Sequence, residues 1–306
     1  MTFIFKFRVS FWPVNCVKES DNMSWTIENI DTRFVSNVET FMDLNGKRIV
    51  ITGAGGGIGK GLALEFKKRG AKALVIGDIN GDEANKVASE VYGLAVTVDV
   101  SKEEEVKNLV DEAHKVYGGI DLFCSNAGIF GKPGFLKVSK DDWSKAIETN
   151  ILSHVYAVKY ALPSMLEAKE GYFLFTSSAA GLLSQIGAAP YTVTKHATVG
   201  FAEWVAITYG ERGISASCLC PQAVKTKMTE KGAGVAGVDG MIEVEECARK
   251  VAECLNKDQF LITPHEKVKG YLKNKAQDYD QWISGMQKLQ SRYDDWVKKI
   301  ENDDSL

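Results

Sequence analysis

Residues 47–59 read KRIVITGAGGGIG, a β-branched apolar run followed at once by Gly53, Gly55, Gly56, Gly57 and Gly59, and then by the helical pattern GLALEFKKRG. Strand, glycine turn and helix therefore follow in order. Glycines let the turn adopt positive φ and let a pyrophosphate approach the backbone, while the start of the helix offers free N–H groups and the positive end of its dipole. The next apolar run, AKALVIGDIN, ends in Asp78. A dinucleotide-binding βαβ unit places an acid there, about twenty residues beyond its glycines, to hold the adenosine ribose hydroxyls. Capping of a turn or of the following helix is the other reading of Asp78. A 2′-phosphate at about 4 Å from this carboxylate would meet roughly 4 kcal/mol of repulsion per unit charge at an effective dielectric near 20. Gly56, Gly77 and Ile79 supply no basic side chain to offset it, so the ligand expected is NAD rather than NADP.

Outward from this unit, apolar strand-like runs alternate with helical patterns. Strands are expected over 48–52, 72–77, 94–98, 120–125, 171–177, 214–219 and 259–263, and helices notably over 103–117, 141–168 and 191–211. This alternation predicts an α/β fold, a Rossmann-type doubly wound seven-stranded parallel sheet flanked by helices, whose ligands sit at the carboxyl ends of the strands. The expected organisation is an N-terminal extension over 1–44, partly disordered, a catalytic domain over 45–264 and a C-terminal amphipathic helical extension over 265–306.

Tyr191 and Lys195, in the string YTVTK, stand four residues apart, and Tyr191 lies thirteen residues after Ser178. On a helix, positions i and i+4 share a face. An ammonium about 4 Å from a phenol, at an effective dielectric near 20, favours phenolate by roughly 4 kcal/mol, which is about three pKa units. A phenol moved to around 7 is a competent general acid and base. The same pair also recurs on solvated helices, where it does nothing of the kind.

With these motifs in order, the chain resembles the short-chain dehydrogenase/reductase family in its compact, NAD-dependent form. TGAGGGIG at Thr52–Gly59 fits the family's TGxxxGxG, DVS at Asp99–Ser101 falls where the family contacts adenine, and SNAG at Ser125–Gly128 fits NNAG with Ser125 replacing the first Asn. Asn150 in ETNILSHVYAV, Ser178 in TSSAAG, and Tyr191 and Lys195 occupy the positions of the family's catalytic residues. The resemblance spans roughly residues 45 to 264. It implies dinucleotide contacts from Gly53, Gly57, Ile58, Gly59, Asp78, Ile79, Asp99, Val100, Asn126, Ala127, Gly128, Tyr191, Lys195, Pro221, Val224 and Thr226.

The resemblance also implies a division of labour. Tyr191 would take the hydroxyl proton as hydride leaves for the nicotinamide, or return it in the reverse direction. Lys195 would lower its pKa and hold the nicotinamide ribose, Ser178 would hydrogen-bond the substrate oxygen, and Asn150 would anchor a water leading towards Lys195. Ser178 and Asn150 also admit purely structural readings, as a strand-end and a helix hydrogen-bonder. Ser178 is preferred over Ser177, which on a strand faces the opposite side. One departure stands out: the family has PGxVxT where this chain reads PQAVKT at Pro221–Thr226, with Gln222 in place of glycine. Gln222 either costs backbone freedom there or donates a hydrogen bond to substrate or cofactor.

Bulk properties agree with an enzyme of this kind. The chain has 306 residues, 45% hydrophobic and 25% charged, enough for one large α/β core. A net charge of -3 argues against a nucleic-acid partner. No apolar run approaches the roughly eighteen residues of a membrane span, so no stable membrane insertion is expected. Six cysteines without C-x-x-C, with Cys124, Cys218 and Cys220 in expected strands, suit a reducing, cytoplasmic compartment. Four histidines without ligand spacing give no metal site.

The N-terminal residues 1–20 read as a faint presequence or a leader, with Met23 as an alternative start, and Trp25, Phe34, Phe41 and Met42 could wrap onto the core. In the C-terminal extension Tyr279, Trp282, Met286, Leu289, Tyr293, Trp296 and Ile300 form a stripe expected on one helix. It would cover the chain's own core, a second subunit or the substrate entrance; a homodimer or homotetramer is expected. The segments Leu182–Ala189 and Ala223–Ile242 are expected to line the substrate pocket, with Leu182, Leu183, Ile186, Val224, Met228, Val235 and Met241 making it apolar. The reaction expected is interconversion of a secondary alcohol and a ketone on a small hydrophobic lipid-, steroid- or prostanoid-like molecule. Gly232–Gly240 reads as a lid or a plain flexible loop. The alternatives are an NADPH-dependent carbonyl reductase and a non-catalytic NAD-binding scaffold.

Overall fold

The structure, a computed structural model, describes residues 42–230 and 232–302. The chain runs β1 (Arg48–Thr52), α1 (Gly57–Lys68), β2 (Ala73–Asp78), α2 (Gly81–Val91), β3 (Leu94–Thr97), α3 (Glu103–Tyr117), β4 (Leu122–Ser125), α4 (Lys140–Ile147) and α5 (Ser153–Ala168). It continues with β5 (Gly171–Thr176), α6 (Ala180–Leu183), α7 (Ala189–Tyr209), β6 (Ile214–Leu219), α8 (Val244–Leu255), β7 (Leu261–Ile262), α9 (Lys267–Gln277), α10 (Tyr279–Ser291) and α11 (Asp294–Asn302). The strands form one parallel sheet in the order β3-β2-β1-β4-β5-β6-β7.

Alternation along each strand sends side chains to two separate cores, because successive residues face opposite sides of a sheet. Val50, Val75, Phe123, Phe173, Phe175 and Cys218 pack beneath α3, α5 and α7. Ile49, Ile51, Leu74, Ile76, Leu122, Cys124, Leu174 and Leu219 pack on the other face, with Leu62 and Phe66 of α1 and Val251 and Leu255 of α8. Both faces are covered, which is why these strands read as continuous apolar runs. Strand order reverses between β1 and β4, and in such sheets a crevice opens there at the carboxyl ends of the strands. Gly53 follows β1 and Asn126 follows β4, so the two motifs flank that crevice.

Two helical expectations need correction. The stretch expected as one helix over 141–168 is broken by a wider π turn at Glu148–Leu152, which carries Asn150. The stripe expected on one C-terminal helix is divided over α10 and α11, and α9 is separated from α10 at Asp278. Asp278 has extended backbone (φ -149, ψ 97) and its side chain accepts from Gln281 N at 2.9 Å, so it ends one helix and caps the next. Tyr279 is consequently exposed, whereas Trp282 packs on the core and Ile300 is buried.

Met42 and Leu44 already belong to the core beneath α8, with Met42 N donating to Leu255 O at 3.4 Å. The expectations for Trp25, Phe34, Phe41 and the leader lie outside the described residues. Cys124 in β4 and Cys218 in β6 are buried free thiols, and so is Cys220, which falls just after β6 and not in the strand expected for it. Among the described residues no helix is long and apolar enough to cross a membrane.

Candidate active site

The glycine turn is shaped by contacts that exclude side chains. Gly53 and Gly57 have φ of +64° and +51°, conformations open to glycine at little cost. A Cβ on Gly59 would collide with the Gly53 carbonyl, and one on Gly55 would lie 2.9 Å from the Asp78 carboxyl carbon. Helix α1 begins at Gly57, and the cap residue Gly56 has no side chain to bond its first N–H groups, so they remain open to an anion. The turn thus fits a pyrophosphate. Gly55 N donates to Asp78 Oδ2 at 2.9 Å and Asn80 N to Oδ1 at 2.9 Å, fixing the carboxylate at the end of β2. Glu83, which the sequence reading missed, brings a second acidic side chain close to Gly55.

Asn126 ties three strand ends together. Its Nδ2 donates to Thr52 O at 2.9 Å, its N donates to Thr52 Oγ1 at 2.9 Å, and its Oδ1 accepts from Thr176 Oγ1 at 3.0 Å. Ala127 N also reaches Thr52 Oγ1, at 3.1 Å, and stands against Gly53. Across the crevice Thr226 approaches Gly57, its Cγ2 lying 3.4 Å from where a Cβ would stand. Asp99 is held by Ser101 N and Oγ at 3.0 and 2.7 Å, Val100 and Val224 are buried, Ile58 is half-buried, and Ile79 is exposed.

Ser178, Tyr191 and Lys195 come together beyond the ends of β5 and β6. Ser178 Oγ donates to Pro221 O at 3.3 Å and lies beside the Tyr191 hydroxyl. Ser177 faces the other way, its Oγ donating to Lys195 O at 2.8 Å. Lys195 Nζ donates to Thr176 O at 3.0 Å and sits 5.7 Å from the centre of the Tyr191 ring. Phe130 packs on that ring at 4.9 Å between centroids. Burial pushes the Tyr191 phenol above its ordinary value, with Ser178 opposing the shift, and burial lowers Lys195 to about 8. The expected fall of Tyr191 towards neutrality is therefore not a property of the ligand-free chain.

Asn150 is fully buried, and its carboxamide clamps the loop after β4. Oδ1 accepts from Ile129 N at 2.8 Å, while Nδ2 donates to Ile129 O at 2.9 Å and to Thr194 Oγ1 at 3.1 Å. The π turn leaves Asn150 O to accept from Thr198 Oγ1 at 3.0 Å. Asn150 Oδ1 and Lys195 Nζ also flank Gly128, lying 3.1 and 3.2 Å from the position of an added Cβ. Behind them Ser125, the substitution in the SNAG motif, bonds His154 Nδ1 at 2.6 Å. Burial and the charge of Lys195 lower the pKa of this imidazole to about 3, so it is neutral.

A cavity of about 800 Å³ adjoins Ser178 and Pro221 through their neighbours Ala179 and Gln222. Its apolar lining comes from Leu183, Val235, Ala236 and Val238 and from Trp282, Met286 and Leu289 of α10. The expected pocket residues divide: Leu183 and Val235 line it, Leu182, Ile186 and Val224 are buried in the protein interior, and Met228 and Met241 are exposed. The C-terminal helices as a cavity wall were only partly foreseen, through the aromatic stripe.

A family model described as short chain dehydrogenase matches residues 47–234. The chain belongs to the short-chain dehydrogenase family. Among its relatives, short chain aldehyde dehydrogenase 1 of Euphorbia lathyris is 31% identical over 79% of this chain and 86% of that protein. Epidermal retinol dehydrogenase 2 of Mus musculus is 36% identical over 60% of this chain and 62% of that one. A short chain dehydrogenase/reductase from Burkholderia phymatum, solved in complex with NAD, superposes with a TM-score of 0.71 at 26% identity, covering 78% of this chain and 96% of its own. The matched family region ends at residue 234, before α8 to α11. In this short-chain dehydrogenase, therefore, the helices that close the cavity stand outside the family model.

Proposed function

We propose that this short-chain dehydrogenase is an NAD-dependent oxidoreductase that interconverts an apolar secondary alcohol and its ketone. The observation that carries the reading is the convergence of Ser178, Tyr191 and Lys195 beside a largely apolar cavity, at the crevice flanked by an open glycine turn. NAD, when bound, supplies the hydride acceptor. Tyr191 holds and releases the hydroxyl proton at its phenol oxygen, and Ser178 Oγ turns from Pro221 O to donate to the substrate oxygen. Lys195, fixed by Thr176 O, places a cation beside Tyr191 when protonated. Asn150 keeps the Gly128–Ile129 backbone in register with Lys195, a positioning role that leaves the water-anchoring expectation resting on the family resemblance.

Asp78, whose carboxylate is fixed beside Gly55, supports NAD over its 2′-phosphorylated form, because it would repel the added phosphate. The apolar walls, and the absence of any lysine or arginine from the cavity lining among the described residues, favour a hydrophobic substrate without an anionic group, such as a lipid, steroid or prostanoid-like alcohol. A relative named for retinol and a structural neighbour holding NAD are in keeping with this. Buried free cysteines suit the cytoplasm. The exposed Trp204 and Ile207 on α7 favour a homo-oligomer.

The test is NADH formation, followed by absorbance, from a panel of apolar secondary alcohols, comparing wild type with Tyr191→Phe. Loss of roughly a thousandfold in rate with NADH binding retained is expected, in the range assigned to a positioned general acid or base. Equal rates for the two proteins would remove Tyr191 from the reaction.

A further inference from the structure

Helix α11 closes over the turn that launches the helix of Tyr191. α7 begins at Ala189 with Pro190 in its first turn and no side-chain cap, so the backbone just before it sets how Tyr191 enters the site. That backbone forms a parallel bridge, Gly134 beside Ala188. Gly134 N donates to Gly187 O at 2.7 Å, and Ala189 N, one of the open donors of the first turn, reaches Gly134 O at 3.3 Å. Four residues before Gly134, Phe130 packs on the Tyr191 ring. One loop therefore touches the phenol ring at one end and the start of its helix at the other.

The bridge is built from residues with no side chains of their own to hold it. Gly134 and Gly187 have φ of +87° and +72°, conformations that cost glycine little and leave bare backbone facing outward. What packs there comes from α11. The Trp296 indole lies against Gly187: an added Cβ would collide with its Cζ3 and stand 2.9 Å from its Cη2. Ile300 Cγ2 lies 3.1 Å from where a Cβ of Gly134 would stand. Positions 296 and 300 are i and i+4 on one helix, so both side chains reach the bridge from the same face, and Ile300 is buried. Thr192 of α7 ties down the earlier part of the turn, its Oγ1 accepting from Gln185 N at 2.9 Å and donating to Gln185 O at 3.2 Å.

We infer that Trp296 and Ile300 are positioning residues for Tyr191, clamping the Gly134–Ala188 bridge so that the phenol oxygen is held within reach of the substrate hydroxyl. The inference rests on the dehydrogenase reading above. Among the described residues α11 contributes none of the cavity lining, so the two side chains act through the bridge and not on the substrate. The C-terminal stripe is thereby divided by task. Trp282, Met286 and Leu289 line the cavity, whereas Trp296 and Ile300 cover the turn before Tyr191. Both lie beyond residue 234, where the match to the family model ends. Burial holds the Tyr191 phenol above its ordinary value, so a loosened bridge that admits water brings it down.

The experiment compares wild type with Trp296→Ala, Trp296→Phe and Ile300→Ala. It reads kcat and KM for an apolar secondary alcohol, NADH affinity, and the ionisation of Tyr191 by ultraviolet difference titration against Tyr191→Phe in each background. Both alanine variants are expected to lose about tenfold to a hundredfold in kcat, with KM and NADH affinity within about twofold of wild type, the pattern of a displaced reacting group. In both, Tyr191 should ionise at lower pH than in wild type. Trp296→Phe, which keeps an aromatic face on Gly187, should restore both readouts. A helix that merely covers apolar surface would lower Tm and leave kcat and the ionisation unmoved, and that result overturns the inference. So does a KM that rises with kcat unchanged, or a kcat that falls while the ionisation stays. Trp296 is 36% exposed, so Trp296→Ala decides the matter if Ile300→Ala does not fold. A shifted Tyr191 ionisation in the alanine variants of a protein that forms no NADH from any alcohol would instead sink the dehydrogenase reading and leave the clamp standing.

Discussion

Lys195 Nζ donates to the Thr176 carbonyl at 3.0 Å and lies 5.7 Å from the centre of the Tyr191 ring, so the lysine is anchored by the end of β5 and not by the phenol. Burial works against the charged form of both groups: it raises the phenol and lowers the ammonium. In the absence of dinucleotide, Tyr191 should therefore ionise above the ordinary phenol range. An ultraviolet difference titration of wild type against Tyr191→Phe measures this directly, and a tyrosinate signal from Tyr191 near neutral pH would contradict it.

The same burial makes Lys195 a cost to stability at neutral pH. Its pKa falls from the ordinary 10.5 to about 8, so below pH 8 the ammonium is present in both folded and unfolded chains and the burial penalty is felt in full. Between about 8 and 10.5 the unfolded chain binds a proton that the folded chain has lost, so the Lys195 contribution becomes less unfavourable as pH rises. The shift corresponds to roughly 3 kcal/mol, less about 1 kcal/mol for the bond to Thr176 O. Lys195→Met should accordingly be more stable than wild type at pH 7 by about 2 kcal/mol, with the gap closing towards pH 10. Urea unfolding at several pH values is the check; a gap that widens with pH is the opposite result.

At the other end of the crevice, Asp78→Asn removes the charge that a 2′-phosphate would meet while keeping an oxygen to accept from Gly55 N. NADPH affinity should rise by about tenfold to a hundredfold, short of the full Coulomb estimate because water and salt screen the pair. Dissociation constants for NADH and NADPH in both proteins decide it. If the variant leaves the ratio between them unchanged, Asp78 is not what discriminates the two cofactors.

Gly59→Ala tests the geometry of the turn itself. The added methyl would strike the Gly53 carbonyl and come within 2.8 Å of Asn126 Nδ2, neither of which can move without disturbing the junction of β1 and β4. A loss of roughly 1–3 kcal/mol, with a melting temperature lower by several degrees, is expected from overpacking of this kind. NADH binding should weaken with it. Calorimetry with and without NADH separates the two effects, and an unperturbed Tm would mean that the backbone is softer here than its contacts require.

Much of this architecture is local and therefore readable from residues alone. The run RIVIT followed by glycines, the strand ISASCL and the helix over 103–117 all announce themselves by periodicity and turn chemistry within a dozen positions. Ser178 could be told from Ser177 because one residue of shift on a strand reverses its face. What remained hidden depends on distant partners. Nothing in ETNIL signals a π turn, since the geometry is set by what Asn150 finds at Ile129 and Thr194. The bonds from Gln222 Nε2 to Asp239 at 3.1 Å, and from Lys267 on α9 to Asp239 at 2.8 Å, join residues that no local pattern links. The break at Asp278 was legible but missed: an Asp three residues before Gln281 is a helix-start signal that the aromatic stripe obscured.

Trp282 is where the C-terminal extension meets the proposed substrate. It lines the cavity and packs on the core beneath α7, and α9, the helix before it, is anchored by Lys275 Nζ donating to Leu182 O at 2.6 Å. Truncating the indole removes apolar wall from the cavity, whose lining does not include Ser178, Tyr191 or Lys195. Trp282→Ala should therefore raise KM for an apolar alcohol by about tenfold, the worth of a partly buried aromatic contact, while kcat stays within about twofold and NADH affinity is unchanged. Should kcat fall as KM rises, the extension would be setting the position of the reacting carbon rather than only holding the apolar body. A KM that does not move would place the substrate away from the indole.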